Sequence, residues 1–188
     1  TGHTGFKGSW LTATLLKFGA QVTGFSLKDK KRNNYEKFTN YKKVKNIYGD
    51  ISDFKKLKSE IKKSKPQILF HLAAQPLVAD SYFDPLSTFN TNFIGSVNIF
   101  EIARKLSIKT VVVITSDKCY YNKEILRGYR EDDQLGGKDP YSASKASVEI
   151  AFQSYMQSFF NSKKGLGVAT ARAGNVIGGG DWLSLIHI

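Results

Sequence analysis

Cysteine is almost missing from this 188-residue sequence; Cys119 stands alone. A lone thiol forms no internal disulfide and supplies no cysteine-rich metal site. That usage fits a reducing compartment, so the expected location is cytoplasmic. Long apolar runs are missing as well. The longest are short, such as Val111-Val112-Val113-Ile114. A spanning helix needs about 20 apolar residues, so no membrane role is expected. The three histidines lie far apart in sequence, and no metal site is expected. Internal repeats, low-complexity linkers and an obvious domain boundary are lacking too.

Acidic residues are scarce in one part only. Residues 1–66 hold 16 Lys/Arg against 5 Asp/Glu, whereas residues 67–188 hold 12 against 11. A basic segment raises nucleic acid as a partner. Here the lysines fall in helix-like or loop stretches such as Lys55-Lys56-Leu57-Lys58 and Lys62-Lys63. They read as solvated faces, without a recognition-helix or zinc-finger pattern, and no nucleic-acid partner is expected. Hydrophobic residues at 41% and charged residues at 23% are ordinary for a globular chain.

What is present is alternation. Residues 7–18 show helical periodicity through Trp10, Leu11, Leu15 and Phe18. Strands are expected at residues 21–26, 46–48, 67–72, 110–115 and 167–171. Helices are expected at 54–63 behind the N-cap Asp53, at 87–106 and at 141–160. The run at 110–115 is continuously apolar, the kind buried on both faces of a parallel sheet. Strands alternating with helices imply βαβ units and an α/β, doubly wound parallel sheet with helices on both faces. A glycine-rich turn at residues 1–8 should follow a strand, and none precedes it. The tail at 183–188 continues no motif. The chain is therefore expected to be a fragment whose first strand is missing.

Three groups of residues carry chemistry. Gly2, Gly5 and Gly8 open the first helix with G-x-x-G-x-x-G spacing. Such glycines let backbone approach a pyrophosphate while the helix start offers free N–H groups. The acid that meets a nucleotide's ribose is expected near Ser26, with Asp29 three residues on. Lys28, Lys30, Lys31 and Arg32 suit a 2′-phosphate equally, so this loop leaves the cofactor's phosphorylation state open. Second, Tyr141 and Lys145 are four apart on one helix face. A phenol has a pKa near 10, and a neighbouring ammonium favours its ionised form. Tyr41 and Lys45 share the spacing but lack the helix start that Asp139-Pro140 gives Tyr141. Third, Thr115-Ser116-Asp117-Lys118 closes an apolar strand, and open α/β sheets bind ligands beyond the carboxyl ends of their strands.

Together these pieces resemble the extended short-chain dehydrogenase/reductase superfamily, and within it the sugar-nucleotide 4,6-dehydratases. The resemblance rests on Thr1-Gly2-His3-Thr4-Gly5-Phe6-Lys7-Gly8-Ser9-Trp10-Leu11, His71-Leu72-Ala73-Ala74-Gln75-Pro76, Thr115-Ser116-Asp117-Lys118-Cys119-Tyr120, Gly136-Gly137-Lys138-Asp139-Pro140-Tyr141-Ser142 and the run from Gly174 to Trp182. It covers about residues 1–182. It implies one Rossmann-like, NAD-binding domain over 1–182, without the C-terminal substrate domain. It implies NAD held by Gly2, Gly5, Phe6, Gly8, Asp50, Ile51, Leu72, Ala73, Ala74, Tyr141 and Lys145. The implied substrate is a nucleotide sugar, CDP-glucose, met by Gln75, Ser116 and Asn175, and a homodimer is implied for the whole protein. In the implied reaction Tyr141 takes the C4 hydroxyl proton as hydride leaves C4. Ser116 bonds the same oxygen, and Lys145 lowers the Tyr141 pKa. Asp117 is the acid at the C6 hydroxyl. Relatives carry a carboxylate pair where this chain has Asp117-Lys118; the sequence leaves open whether this pair is neutral or charged, and Lys118 is expected as the base at C5.

Overall fold

The computed structural model describes residues 1–28, 36 and 40–181. The Asp29–Arg32 alternatives for the ribose and the tail at 183–188 lie outside the described residues. Helix α1 spans Phe6–Lys17 and leads to strand β1, Thr23–Ser26. Strand β2 is Lys45–Tyr48, and helix α2 is Phe54–Ser64. The expected cap holds: the Asp53 carboxylate accepts from Lys56 N at 3.0 Å. Strand β3, Ile68–His71, is followed by two short helices, α3 at Val78–Phe83 and α4 at Pro85–Phe89. Helix α5, Gly95–Lys105, precedes strand β4, Thr110–Ile114. Helix α6, Pro140–Tyr155, precedes the last strand, β5, Gly167–Ala171.

The helix expected at 87–106 starts two residues earlier, because Asp84 accepts from Ser87 N at 2.9 Å and Pro85 fills the first turn. It is also interrupted by a π turn at Asn90–Ile94. The buried Asn92 faces that turn's neighbours. Its Oδ1 accepts from Gln75 N at 2.8 Å, and its Nδ2 donates to Ser144 Oγ at 2.9 Å. A bulge of this kind trades helix regularity for a side chain aimed where it is needed.

All strand pairs are parallel, as the βαβ reading requires. The single expected sheet is, however, divided: β1 pairs with β2, and β3, β4 and β5 form a second sheet in that order. Between β1 and β3, among the described residues, Thr1 bonds to the β3 side and Gly2 to the β1 side. Thr1 N donates to Phe70 O at 2.6 Å, Leu72 N to Thr1 O at 3.2 Å, and Gly2 N to Phe25 O at 2.8 Å. Beyond them a cavity of about 710 Å³ separates Val22–Phe25 from Gln67–Phe70.

The core joins both sheets to α2, α5 and α6. Phe25, Leu57, Leu69, Ile99, Phe100, Ile102, Val111, Val113 and Val148 meet in one buried cluster. Strand β4 departs from the expectation of burial on both faces. Val111 and Val113 are fully buried, whereas Thr110, Val112 and Ile114 are half-buried. The face of Val111 and Val113 lies under the cluster.

Candidate functional site

The glycine turn ends at the first turn of α1. Gly2 has φ +71°, in the left-handed region, and a Cβ there would come 2.6 Å from Ala73 N. A Cβ on Gly8 would come 2.0 Å from Gly2 O. These two glycines are required by the fold itself. Gly5 differs: its nearest neighbour would be Gly2 O at 3.4 Å. Among the described residues no side chain caps α1, and the amides of Phe6, Lys7 and Gly8 have no helical partners. His3 fills the turn from beneath. Its ring packs on Gly24, and its Nε2 meets Asn46 Oδ1 at 2.9 Å.

A cleft of about 730 Å³ opens above this turn. Of the expected cofactor residues, Gly2, Gly5, Phe6, Gly8, Asp50, Ile51, Leu72, Ala73, Ala74, Tyr141 and Lys145 all line it. Ser26 lines it as well, and its hydroxyl accepts from Thr4 Oγ1 at 3.1 Å. Asp50 accepts from Ser52 N at 2.8 Å, which holds the β2 exit in a tight turn at the cleft's edge. Ile51 is buried against Gly95.

The opposite wall comes from β4 and α6. Ser116, Asp117 and Lys118 line the same cleft, as does Asn175. The β4–β5 ladder extends into this tip, with Thr115 N donating to Ala171 O and Asp117 N to Ala173 O, both at 3.0 Å. Ser116 then caps a 3₁₀ turn over Asp117–Cys119. The Asp139 cap sets the start of α6, accepting from Ser142 N at 2.9 Å, so Tyr141 stands in the first turn with Pro140.

Electrostatics are set mainly by burial. Burial pushes the Tyr141 phenol above its ordinary value. A hydrogen bond with Ser116 opposes this, and Asp117 and Asp139 add to it. The sequence led to the expectation of a phenol lowered by Lys145. In this structure Lys145 is not among the groups acting on Tyr141; its Nζ donates to Ile114 O at 3.3 Å. Burial lowers the Lys145 ammonium to about 8, with Lys7 adding to the fall and Glu149 opposing it.

One expected residue stands aside, as do several that were not expected in the site. Gln75 does not line the cleft; its Nε2 donates to Leu77 O at 3.0 Å and to Thr88 Oγ1 at 2.9 Å. Tyr41 is exposed, and neither it nor Lys45 lines the cleft. His71 is buried between Thr1 Oγ1 at 2.7 Å and Ser96 Oγ at 3.1 Å. Cys119 is buried, and burial raises its thiol to about 11, away from reactivity. Two residues not singled out from sequence do belong here. Lys7 lines the cleft within the glycine turn, and its charge acts on Lys145. A cation in the first turn of a helix, where acids are favoured, was the available signal. Glu149 continues the four-residue step of Tyr141 and Lys145 along α6.

Comparison with known proteins gives the family. The family model for GDP-mannose 4,6 dehydratase matches residues 1–170. A CDP-glucose 4,6-dehydratase from Salmonella typhimurium is 47% identical over 97% of this chain and 52% of its own length. A UDP-glucose 4-epimerase from Mycolicibacterium smegmatis is 32% identical over 82% of this chain and 50% of its own. Among solved structures, the Thermus thermophilus UDP-glucose 4-epimerase in complex with NAD superposes with TM-score 0.74 at 25% identity, covering 91% of this chain and 52% of that one. The chain thus spans about half the length of the relatives it matches. With the model matched across nine-tenths of its length, the chain belongs to the GDP-mannose 4,6 dehydratase family, among the extended short-chain dehydrogenases/reductases.

Proposed function

We propose that this chain is the cofactor-binding half of an NAD-dependent sugar-nucleotide 4,6-dehydratase acting on CDP-glucose. The carrying observation is that one cleft gathers the glycine turn with Ser116, Asp117, Lys118, Tyr141 and Lys145. The 47% identity to a CDP-glucose 4,6-dehydratase supports the substrate and its nucleotide.

The residues present suit NAD. A Cβ at Gly5 would make ordinary contact with Gly2 O at 3.4 Å, whereas at Gly2 and Gly8 it would clash, so the fold itself does not demand glycine at position 5 and close approach of a ligand accounts for it. The uncapped start of α1 offers amides and positive potential to a pyrophosphate. Lys7 and Lys145 line the same cleft and favour an anion between them. NAD, when bound, supplies the acceptor for hydride from C4 and its donor to C6.

The chain's own residues then divide the proton work. Tyr141 takes the proton of the C4 hydroxyl, and Ser116 holds the same oxygen. Lys145 lines the cleft beside them and would hold the cofactor's ribose. A ketone at C4 acidifies the C5 proton, which Lys118 removes. Asp117 protonates the departing C6 hydroxyl, and water leaves across C5–C6. The product is CDP-4-keto-6-deoxyglucose. A 4-epimerase would use Ser116, Tyr141 and Lys145 alike but has no step for Asp117-Lys118. That pair at the strand tip favours elimination.

A second copy of the chain completes the proposal as a homodimer. Tyr82, Phe83 and Leu86 on α3 and α4 and Ile150 on α6 present exposed apolar side chains. A nucleotide-sugar substrate and a single buried thiol suit the cytoplasm.

The test is to give the native protein CDP-glucose and follow a 4-keto product. Conversion with no net change in NADH is expected. CDP-glucose left intact while dTDP-glucose is consumed would move the assignment to another nucleotide. In a Lys118→Ala variant, solvent deuterium should cease to enter C5; wash-in at the normal rate would remove Lys118 as the base.

A further inference from the structure

Beneath the strand tip lies a carboxylate that this chemistry does not use. Glu149 stands one helical turn beyond Lys145 and two beyond Tyr141, so the three share a face of α6. It is 1% exposed. A carboxylate in such a place is tolerated only when its lone pairs are met. Here Glu149 accepts from Thr115 Oγ1, from Thr170 Oγ1 at 3.0 Å and from Arg172 Nη2 at 2.9 Å. Thr115 follows the end of β4 and immediately precedes Ser116, while Thr170 and Arg172 belong to β5 and its extension.

Arg172 carries the connection outward. Its Nη1 donates to Glu131 O at 2.9 Å. Its guanidinium lies 4.9 Å from the Tyr120 ring centre, and Tyr120 stacks on Tyr129 at 5.1 Å. One ion pair therefore joins α6, both strands behind the tip, and the loop that follows the tip.

We propose that Glu149, held by Arg172, is a positioning residue for the site: through Thr115 it sets the Ser116–Asp117 tip against Tyr141, and it places a negative charge one turn beyond Lys145. The proposal deepens the dehydratase reading and rests on it for the reaction. Lys145 faces the Lys7 ammonium from α1, the buried His71 from β3, the Ile114 carbonyl from β4 and Glu149 from its own helix. Glu149 is the one charge among these that favours the ammonium. The two linkages are separable, because Thr115 carries the positional one and the carboxylate charge carries the other.

Two variants of the native protein test it. Glu149→Gln keeps the volume and removes the charge. Its kcat for CDP-glucose should fall roughly 10- to 100-fold with KM within about threefold. The alkaline limb of its pH profile should move down by roughly half a unit to one unit. Thr115→Val cuts the tip from the carboxylate and leaves the ion pair. Its kcat should fall about tenfold or more with the limb unmoved. Lys145 is also read without turnover, by NMR titration of labelled lysines assigned with Lys145→Arg; it should titrate lower in Glu149→Gln. An unmoved Lys145 titration, or Thr115→Val with kcat within twofold of native, overturns the proposal. If Glu149→Gln does not fold, Thr115→Val alone decides. A native protein inert toward CDP-glucose whose Lys145 still shifts in Glu149→Gln sinks the dehydratase reading and leaves the charge linkage standing.

Discussion

Ser116 Oγ donates to Asp117 Oδ1 across 3.0 Å, while Lys118 N donates to the same hydroxyl at 3.2 Å. The hydroxyl proposed to hold O4 of the sugar is thus bonded to the carboxylate proposed to act at C6. The two ends of the reaction share one short stretch of backbone, fixed by the β4–β5 ladder.

Asp117→Asn separates those ends. The amide keeps the size but gives no acid proton to the C6 hydroxyl. General acid catalysis contributes about 10²–10⁴-fold, so kcat should fall by that order. Oxidation at C4 should survive, so reduced nicotinamide should accumulate on mixing with CDP-glucose in stopped flow. An Asn variant that turns over within twofold of native would remove Asp117 from the acid role.

Much of this arrangement was legible in the sequence, and the reasons are local. Asp139-Pro140 marks a helix start in any context, so the position of Tyr141 followed from it. The apolar run into Thr115-Ser116 marked a buried strand and its polar end. Asp84-Pro85 carried the same helix-start signal as Asp139-Pro140, and the helix does begin there rather than at Ser87. The division of the sheet was not legible, because pairing between β1 and β3 depends on what lies between them. Gln75 was given to substrate by the resemblance, within His71-Leu72-Ala73-Ala74-Gln75-Pro76, whereas its amide is held by the Leu77 carbonyl and Thr88 Oγ1. Lys7 takes its meaning from Lys145, which is distant in sequence and meets it only in the fold, and Glu149 takes its own from Thr115, Thr170 and Arg172, which the fold brings to it.

The glycines of the turn should separate under substitution. At Gly8 a methyl group would meet the Gly2 carbonyl oxygen at 2.0 Å, which no side-chain movement relieves. Gly8→Ala should cost several kcal/mol by overpacking and backbone strain, read as a large loss of urea midpoint. At Gly5 the same methyl would find its nearest neighbour at 3.4 Å. Gly5→Ala should keep its midpoint and lose NAD affinity, measured by calorimetry, because the methyl stands where the pyrophosphate approaches. Equal NAD affinity in Gly5→Ala and native protein would refute the placement of the cofactor on this turn.

Acid should weaken the fold through His71. Burial holds the folded-state pKa of this imidazole well below its ordinary 6.5. Below pH 6.5 the unfolded chain therefore binds a proton that the folded chain refuses. Stability falls as pH drops through that window, by up to about 1.4 kcal/mol per pH unit for one such proton. His71→Asn keeps a polar side chain between Thr1 and Ser96 without titrating. The difference in urea midpoint between pH 7.5 and 5.5 should be smaller in this variant than in native protein. An unchanged difference would assign acid sensitivity to other groups.

Lys145 should give activity and stability opposite slopes in the same pH range. Its ammonium is held at about 8 in the fold, against an ordinary 10.5. Chemistry that needs the cation is complete below pH 8 and lost above it, so kcat should fall on the alkaline side with a midpoint near 8. Stability runs the other way. Between pH 8 and 10.5 the unfolded chain holds a proton that the folded chain has released, so the free energy of unfolding rises with pH. Lys145→Met removes the buried charge and should be more stable than native protein at pH 7 by roughly 1–3 kcal/mol. That advantage should shrink steadily toward pH 10, while the variant's kcat stays low throughout. A native kcat that is flat to pH 10, or a Met variant with no pH-dependent advantage, would show that Lys145 titrates as an ordinary surface lysine.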